Sequence, residues 1–192
     1  MTALTSAGKA FATAGLEQTI NLSVQSAVAI EKTTSKESGT VNSSTGSHEG
    51  LNASFKIQTN GLDTNYDFIV GAYITTATGN VSAYGSNESI LFGNTTVFPT
   101  MTAVDDARIA GTNNPNVIAY PMVFNISDPM DITFDDSKAT EEGIGCYVVK
   151  INTAQEGTLT QEIGKNPVNN TYSMADLAGS YKCTVYFTAI SK

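Results

Sequence analysis

The chain predicts an all-β antiparallel sandwich with an extended N-terminal arm, and three observations carry that expectation. Apolar and polar residues alternate with period 2 in segment after segment. Those segments are separated by Gly, Asn, Pro and Asp, the residues that turn a chain. Charged residues make up only 15% of the sequence, and Thr, Ser, Asn and Gly take their place. Long solvated helices lean on Glu and Lys, so this composition favours strands and turns.

Residues 1–18 are small and low in charge. Leu4, Ala7, Phe11 and Ala14 fit a helical stripe, while Leu4, Gly8, Ala10, Ala12, Ala14 and Leu16 fit the face of an extended segment. The even parity runs on into Ile20, Leu22 and Val24, which favours the extended arm. Thr19 to Ile30 then carries the strongest alternation in the chain, with Ile20, Leu22, Val24, Val28 and Ile30 on one face. Residues 31–50 are rich in Ser, Thr and Gly and read as a loop or hairpin tip, with the single histidine, His48, facing solvent.

Leu51 to Gln58 alternates again, with Leu51, Ala53, Phe55 and Ile57 inward, and Asn60-Gly61 marks a turn. Tyr66 to Ile74 is more apolar and reads as a central strand. Gly79-Asn80 turns the chain, and Val81 to Ala83 and Ser89 to Phe92 are shorter strands. The best helix candidate lies within 99–115, through Met101, Val104, Asp105, Arg108 and Ile109. Val117 to Ile126 alternates with Pro121 outward, which implies an edge or a bulge, since proline cannot donate to a ladder. Asp131 to Phe134, Cys146 to Ile151 and Gly157 to Thr160 lead to a closing strand, Tyr181 to Lys192. Its Tyr181, Cys183, Val185, Phe187 and Ala189 share a face. Many strands with hardly any helix make a two-sheet sandwich, read as one domain over 19–192 preceded by the arm 1–18.

Charge and motifs narrow the function. A net charge of −8 argues against nucleic-acid binding, which needs a basic face. No apolar run approaches a membrane span. Met1-Thr-Ala-Leu lacks the basic start and apolar run of a secretory signal, yet the composition is that of a protein outside the cell or at its surface. Asp128, Asp131, Asp135, Asp136, Glu141 and Glu142 form an acidic stretch, but their spacing matches no EF-hand loop, and a solvated loop is the simpler reading. The surroundings of His48 hold no nucleophile elbow, one histidine and two separated cysteines cannot make a zinc site, and no Gly-rich phosphate loop is present. An enzyme is therefore not expected, nor a cofactor or metal.

Two cysteines, Cys146 and Cys183, sit in strand-like runs. They are either a disulfide between neighbouring strands or two buried thiols. Parity is awkward for the bridge: with Lys150 outward, Cys146 is outward too, whereas Cys183 looks inward. Asn-x-Ser/Thr sequons make Asn42, Asn80, Asn87 and Asn94 candidate glycosylation sites. Asn21, Asn52, Asn125 and Asn169 also begin sequons, although a chain rich in these residues generates several by chance. Lys56, Lys150 and Lys182 lie in strands, but Lys56 and Lys182 point outward, which disfavours cross-strand isopeptide bonds.

Three segments carry a resemblance. Gln18 to Ile30, Phe55 to Asn60 leading into Tyr66 to Val70, and Asp176 to Ala189 together resemble bacterial surface-fibre and pilin-type domains with an immunoglobulin-like sandwich. The early disulfide that chaperone–usher pilins often carry has no counterpart, because both cysteines are late. The resemblance implies a non-enzymatic subunit of an extracellular filament or surface appendage. Its N-terminal arm would insert as a strand into a neighbouring copy, with Leu4, Gly8, Ala10, Ala12, Ala14 and Leu16 filling the groove. The expected partner is the chain itself. The alternatives are an adhesin or carbohydrate-binding module that meets host or surface glycans through loops 31–50 and 99–116, and a phage or virus structural protein.

Overall fold

The computed structural model describes residues 18–25, 27–42, 44–45, 47–60, 66–77, 79–85, 89–98, 115–127, 130–134, 146–151, 156–164 and 174–191. The arm positions 4–16, the helix candidate in 99–115 and most of the acidic stretch lie outside them.

The strands are β1 (Val28–Lys32), β2 (Val41–Asn42), β3 (Ser47–His48), β4 (Leu51–Thr59), β5 (Tyr66–Thr76), β6 (Gly79–Ser82) and β7 (Tyr84–Gly85). They continue with β8 (Ser89–Asn94), β9 (Val117–Ile126), β10 (Met130–Phe134), β11 (Cys146–Ile151), β12 (Glu156–Ile163), β13 (Tyr181–Lys182) and β14 (Thr184–Ser191). The fold is all-β, as expected. One sheet has the order β1-β4-β12-β9-β8-β13, with β7 also on β8. The second has the order β10-β11-β5-β14, with β6 also on β5, and β2-β3 is a separate small ribbon. Every pairing is antiparallel.

The two sheets exchange strands at one level. β6 pairs with β5, and β7, one residue later, pairs with β8. Between them Ala83 donates its N–H to the Ala72 carbonyl and accepts from Leu91 N–H, so one residue is bonded to both sheets. The closing segment does the same. It is two strands, not one: β13 pairs with β8 and β14 with β5, and the chain changes sheets at Cys183. Ser82 and Thr184 both lie opposite Tyr73, so the two crossings flank the same point of β5. Corners of this kind bend one layer into the other.

Alternation decides the inward faces. Phe68, Val70, Ala72 and Ile74 of β5 point into the core, against Ile57, Ile90, Met122, Val149 and Leu159 from the other strands. Two further expectations are corrected. β9 is a central strand between β12 and β8, and Pro121 within it is buried. It sits where the β12 ladder has ended at Met122 and the β8 ladder begins, so its missing donor costs little, and its carbonyl accepts from Gly164 N–H. His48 is not a solvent-facing loop residue. Its ring stands edge-on to Tyr120 at 6.0 Å and fills the space that a Cβ at Gly164 would need.

On the outer face of β5, Gly71 lies between Cys146 and Tyr186, and the Tyr186 ring covers it. A Cβ at this position would fall within the ring. The variant Gly71→Val should therefore lose about 1–3 kcal/mol of stability through overpacking, read as a lower denaturant midpoint with an unchanged slope.

Candidate assembly surface

The strongest alternating segment does not enter the sheet where its pattern starts. Pairing begins at Val28, opposite Thr59. Residues 18–25 make no ladder, and their stripe faces water: Ile20 is 85% exposed, Leu22 88% and Val24 75%. The expectation of one strand over 19–30 is thus corrected at its first half. The physical reason is length. β4 ends at Thr59, so the chain preceding β1 runs past the end of its partner.

Asn60 holds the point of departure. Its Oδ1 accepts from Ala27 N–H at 2.6 Å, and its Nδ2 donates to the Gln25 carbonyl at 2.9 Å. Asn60 N–H and the Thr59 hydroxyl both donate to the Ala27 carbonyl. A side-chain amide thereby stands in for the next peptide of β4 and carries the line of β1 two residues further. Beyond Gln25 nothing described continues the sheet.

The sheet edges differ in their protection. Edge strands invite pairing with other chains, and charge or shortness suppresses it. β1 carries Glu31 and Lys32, β10 carries Asp131, and β13 is two residues long with Lys182. β14 runs for eight residues, Thr-Val-Tyr-Phe-Thr-Ala-Ile-Ser, without a charge or a proline. Among the described residues only β5 pairs with it. Its inward side chains Val185, Phe187 and Ala189 are only half-buried, as are Val28 of β1 and Phe55 of β4 beside them. Phe187 stacks between Phe55 at 5.3 Å and Phe68 at 6.2 Å. This side of the sandwich is an apolar seam that is not fully covered.

The remaining candidates separate. The disulfide is not formed, and both cysteines are thiols. Cys146 belongs to β11, one strand to one side of β5, on the outer face with Lys150. Cys183 begins β14's side of β5 and packs inward. Two strand spacings, about 10 Å, and opposite faces exceed what a bridge can span. Among the sequons, Asn42 is exposed at the β2–β3 turn, where its Oδ1 accepts from the Ser44 and Thr45 amides. Asn80 is exposed and accepts from the Thr75 hydroxyl, while Asn87 lies outside the described residues. Asn94 is 5% exposed and its Oδ1 accepts from Thr96 N–H, so this sequon offers no accessible amide, a correction that burial explains. Lys56 forms an ion pair with Glu156 at 3.0 Å. The Gln58 amide first, and Lys56 second, hold that carboxyl below its ordinary value. A cavity of about 420 Å³ opens beside the β13–β14 crossing, lined by Tyr73, Ile74, Phe98, Lys182 and Thr184 among others. Among the described residues no helix is long and apolar enough to cross a membrane.

Compared with protein-family models and with curated proteins, the chain matches none.

Burial at the crossing sets a pH limit. Desolvation pushes the Cys183 thiol up to about 12. Desolvation, with Cys183 adding, also pushes the Tyr84 phenol well above its ordinary value. Both groups are neutral when protonated, so the fold keeps its full stability below their unfolded values and loses it as pH rises through the folded ones. The loss should set in above about pH 9, the ordinary thiol value, and Cys183→Ala should lose less across that window than the parent chain. Near pH 8 the folded chain should react slowly with a thiol reagent, whereas the denatured chain should release two thiols.

Proposed function

We propose that the chain is a non-enzymatic structural subunit of an extracellular or cell-surface filament, assembled from copies of itself by strand exchange of its N-terminal arm. One observation carries this reading: an alternating β-branched and leucine stripe, Ile20, Leu22 and Val24, held 75–88% exposed next to a sandwich. Removing such side chains from water is worth about 1.5–3 kcal/mol each. A segment with this pattern, supplied with a sheet edge, gains main-chain hydrogen bonds as well. The reading moves the exchanging segment from residues 2–16 toward residues 18–25. The low charge content and the turn-rich strands suit a protein exposed outside the cell.

A second reading, an adhesin or carbohydrate-binding module, draws on the cavity beside Tyr73 and Lys182. Its ligand would be a glycan, and it would act as a monomer.

The two readings part under one measurement. The filament reading expects the full chain to grow into larger species with concentration, followed by light scattering and by electron microscopy. The triple variant I20S/L22S/V24S should stay monomeric with an unchanged circular dichroism spectrum. A full chain that remains monomeric at high concentration, and gains a glycan-dependent rise in melting temperature, sinks the filament reading.

A further inference from the structure

We infer that the partner of residues 18–25 is the open edge of β14 in a second copy, so that copies join head to tail; this rests on the self-assembly reading above. Three observations converge on it. First, of the described edges β14 alone combines length with freedom from charge, while β1, β10 and β13 bear Glu31 and Lys32, Asp131, and Lys182. Second, the seam beside β14 presents half-buried Val28, Phe55, Phe187 and Ala189, which the alternating side chains Ile20, Leu22 and Val24 would cover. In antiparallel and parallel pairing alike, the face that carries the stripe is the face that meets the seam.

Third, Asn60 binds Ala27 and Gln25 and so holds the start of the segment in the line of β1, whereas the end of β14 lies opposite Tyr66, at the start of the strand after β4. The donor and the acceptor are different patches of the surface, so the contact is heterologous and can repeat from copy to copy. Asn60 is then a positioning residue: it aims the arm and does not touch the acceptor.

Cross-linking tests the assignment on the full chain. In a background of C146A and C183A, one population carries Ser23→Cys and a second carries Thr188→Cys; a control population carries Thr133→Cys on β10. Thr188 points away from the core and Ser23 lies opposite the apolar stripe, so the two share a face of the joined sheet whichever way the strands run. A mixture of the first two populations should give a disulfide-linked pair at least about tenfold above the mixture with the control. Hydrogen exchange of the unaltered chain should show the β14 amides gaining protection as concentration rises, a readout that needs no substitution. Asn60→Ala should weaken association several-fold while leaving the fold intact. Association that persists without the Ser23–Thr188 link and without β14 protection overturns the seam assignment but spares the self-assembly reading. A chain that never associates removes both.

Discussion

The ladder between β5 and its two neighbours is the contact on which the rest of the sandwich depends. β5 is eleven residues long and has β14 along one side, with β11 and then β6 along the other. Its inward residues Phe68, Val70, Ala72 and Ile74 span both clusters of the core. Its outward Gly71 lets the Tyr186 ring lie flat over the strand. Because Ser82 and Thr184 both register on Tyr73, one residue of β5 fixes where the chain leaves one sheet for the other on each side. A register slip of β5 by one residue would turn every inward side chain outward and move both crossings at once.

The core is joined at the middle by aromatic side chains. Tyr147 is within 5.0 Å of the ring centres of Tyr84, Phe124 and Phe134, at angles that favour edge contact, and it packs against both clusters. These rings come from β7, β9, β10 and β11, so they tie the strand-exchange corner to the far edge of the second sheet. Burial at the same corner desolvates Tyr84 and Cys183 and raises the pKa of both. The polar side chain that enters this region, Gln161, is fully buried and donates to the Met122 sulfur at 3.1 Å.

Period-2 alternation made most of the strands legible in the sequence, and the ends of β9 and β11 fall where the pattern starts and stops. It could not show which strand pairs with which. Pro121 looked like an edge marker because sequence shows a missing donor, whereas the ladder on one side of it had already ended. The closing segment keeps its alternation straight through Cys183, so nothing local announces a change of sheet; only the partners β8 and β5 reveal it. The segment 19–30 did hold a clue. Ser26 stands where the stripe Ile20, Leu22, Val24 should have continued, and it falls two residues before pairing begins at Val28. Asn60 carried no signal beyond a turn, because its role depends on a side chain reaching a strand more than thirty residues away.

An uncharged eight-residue edge beside an incompletely covered seam is a hazard for any protein at high concentration. Three of the described edges are blunted by charge or shortness, so the exception at β14 needs a reason. A net charge of −8 per copy resists random encounter, but it is a long-range force that salt screens, and it does not protect an edge once two copies touch. Occupation by a matching strand does protect it, because paired N–H and C=O groups no longer template further addition. Residues 18–25 offer a matching segment, alternating and exposed at Ile20, Leu22 and Val24. On the proposed assembly the two anomalies, a stripe without a ladder and an edge without a second partner among the described residues, would cancel between successive copies. Within a single copy Asn60 holds the start of the arm in the line of β1, and among the described residues only β5 pairs with β14.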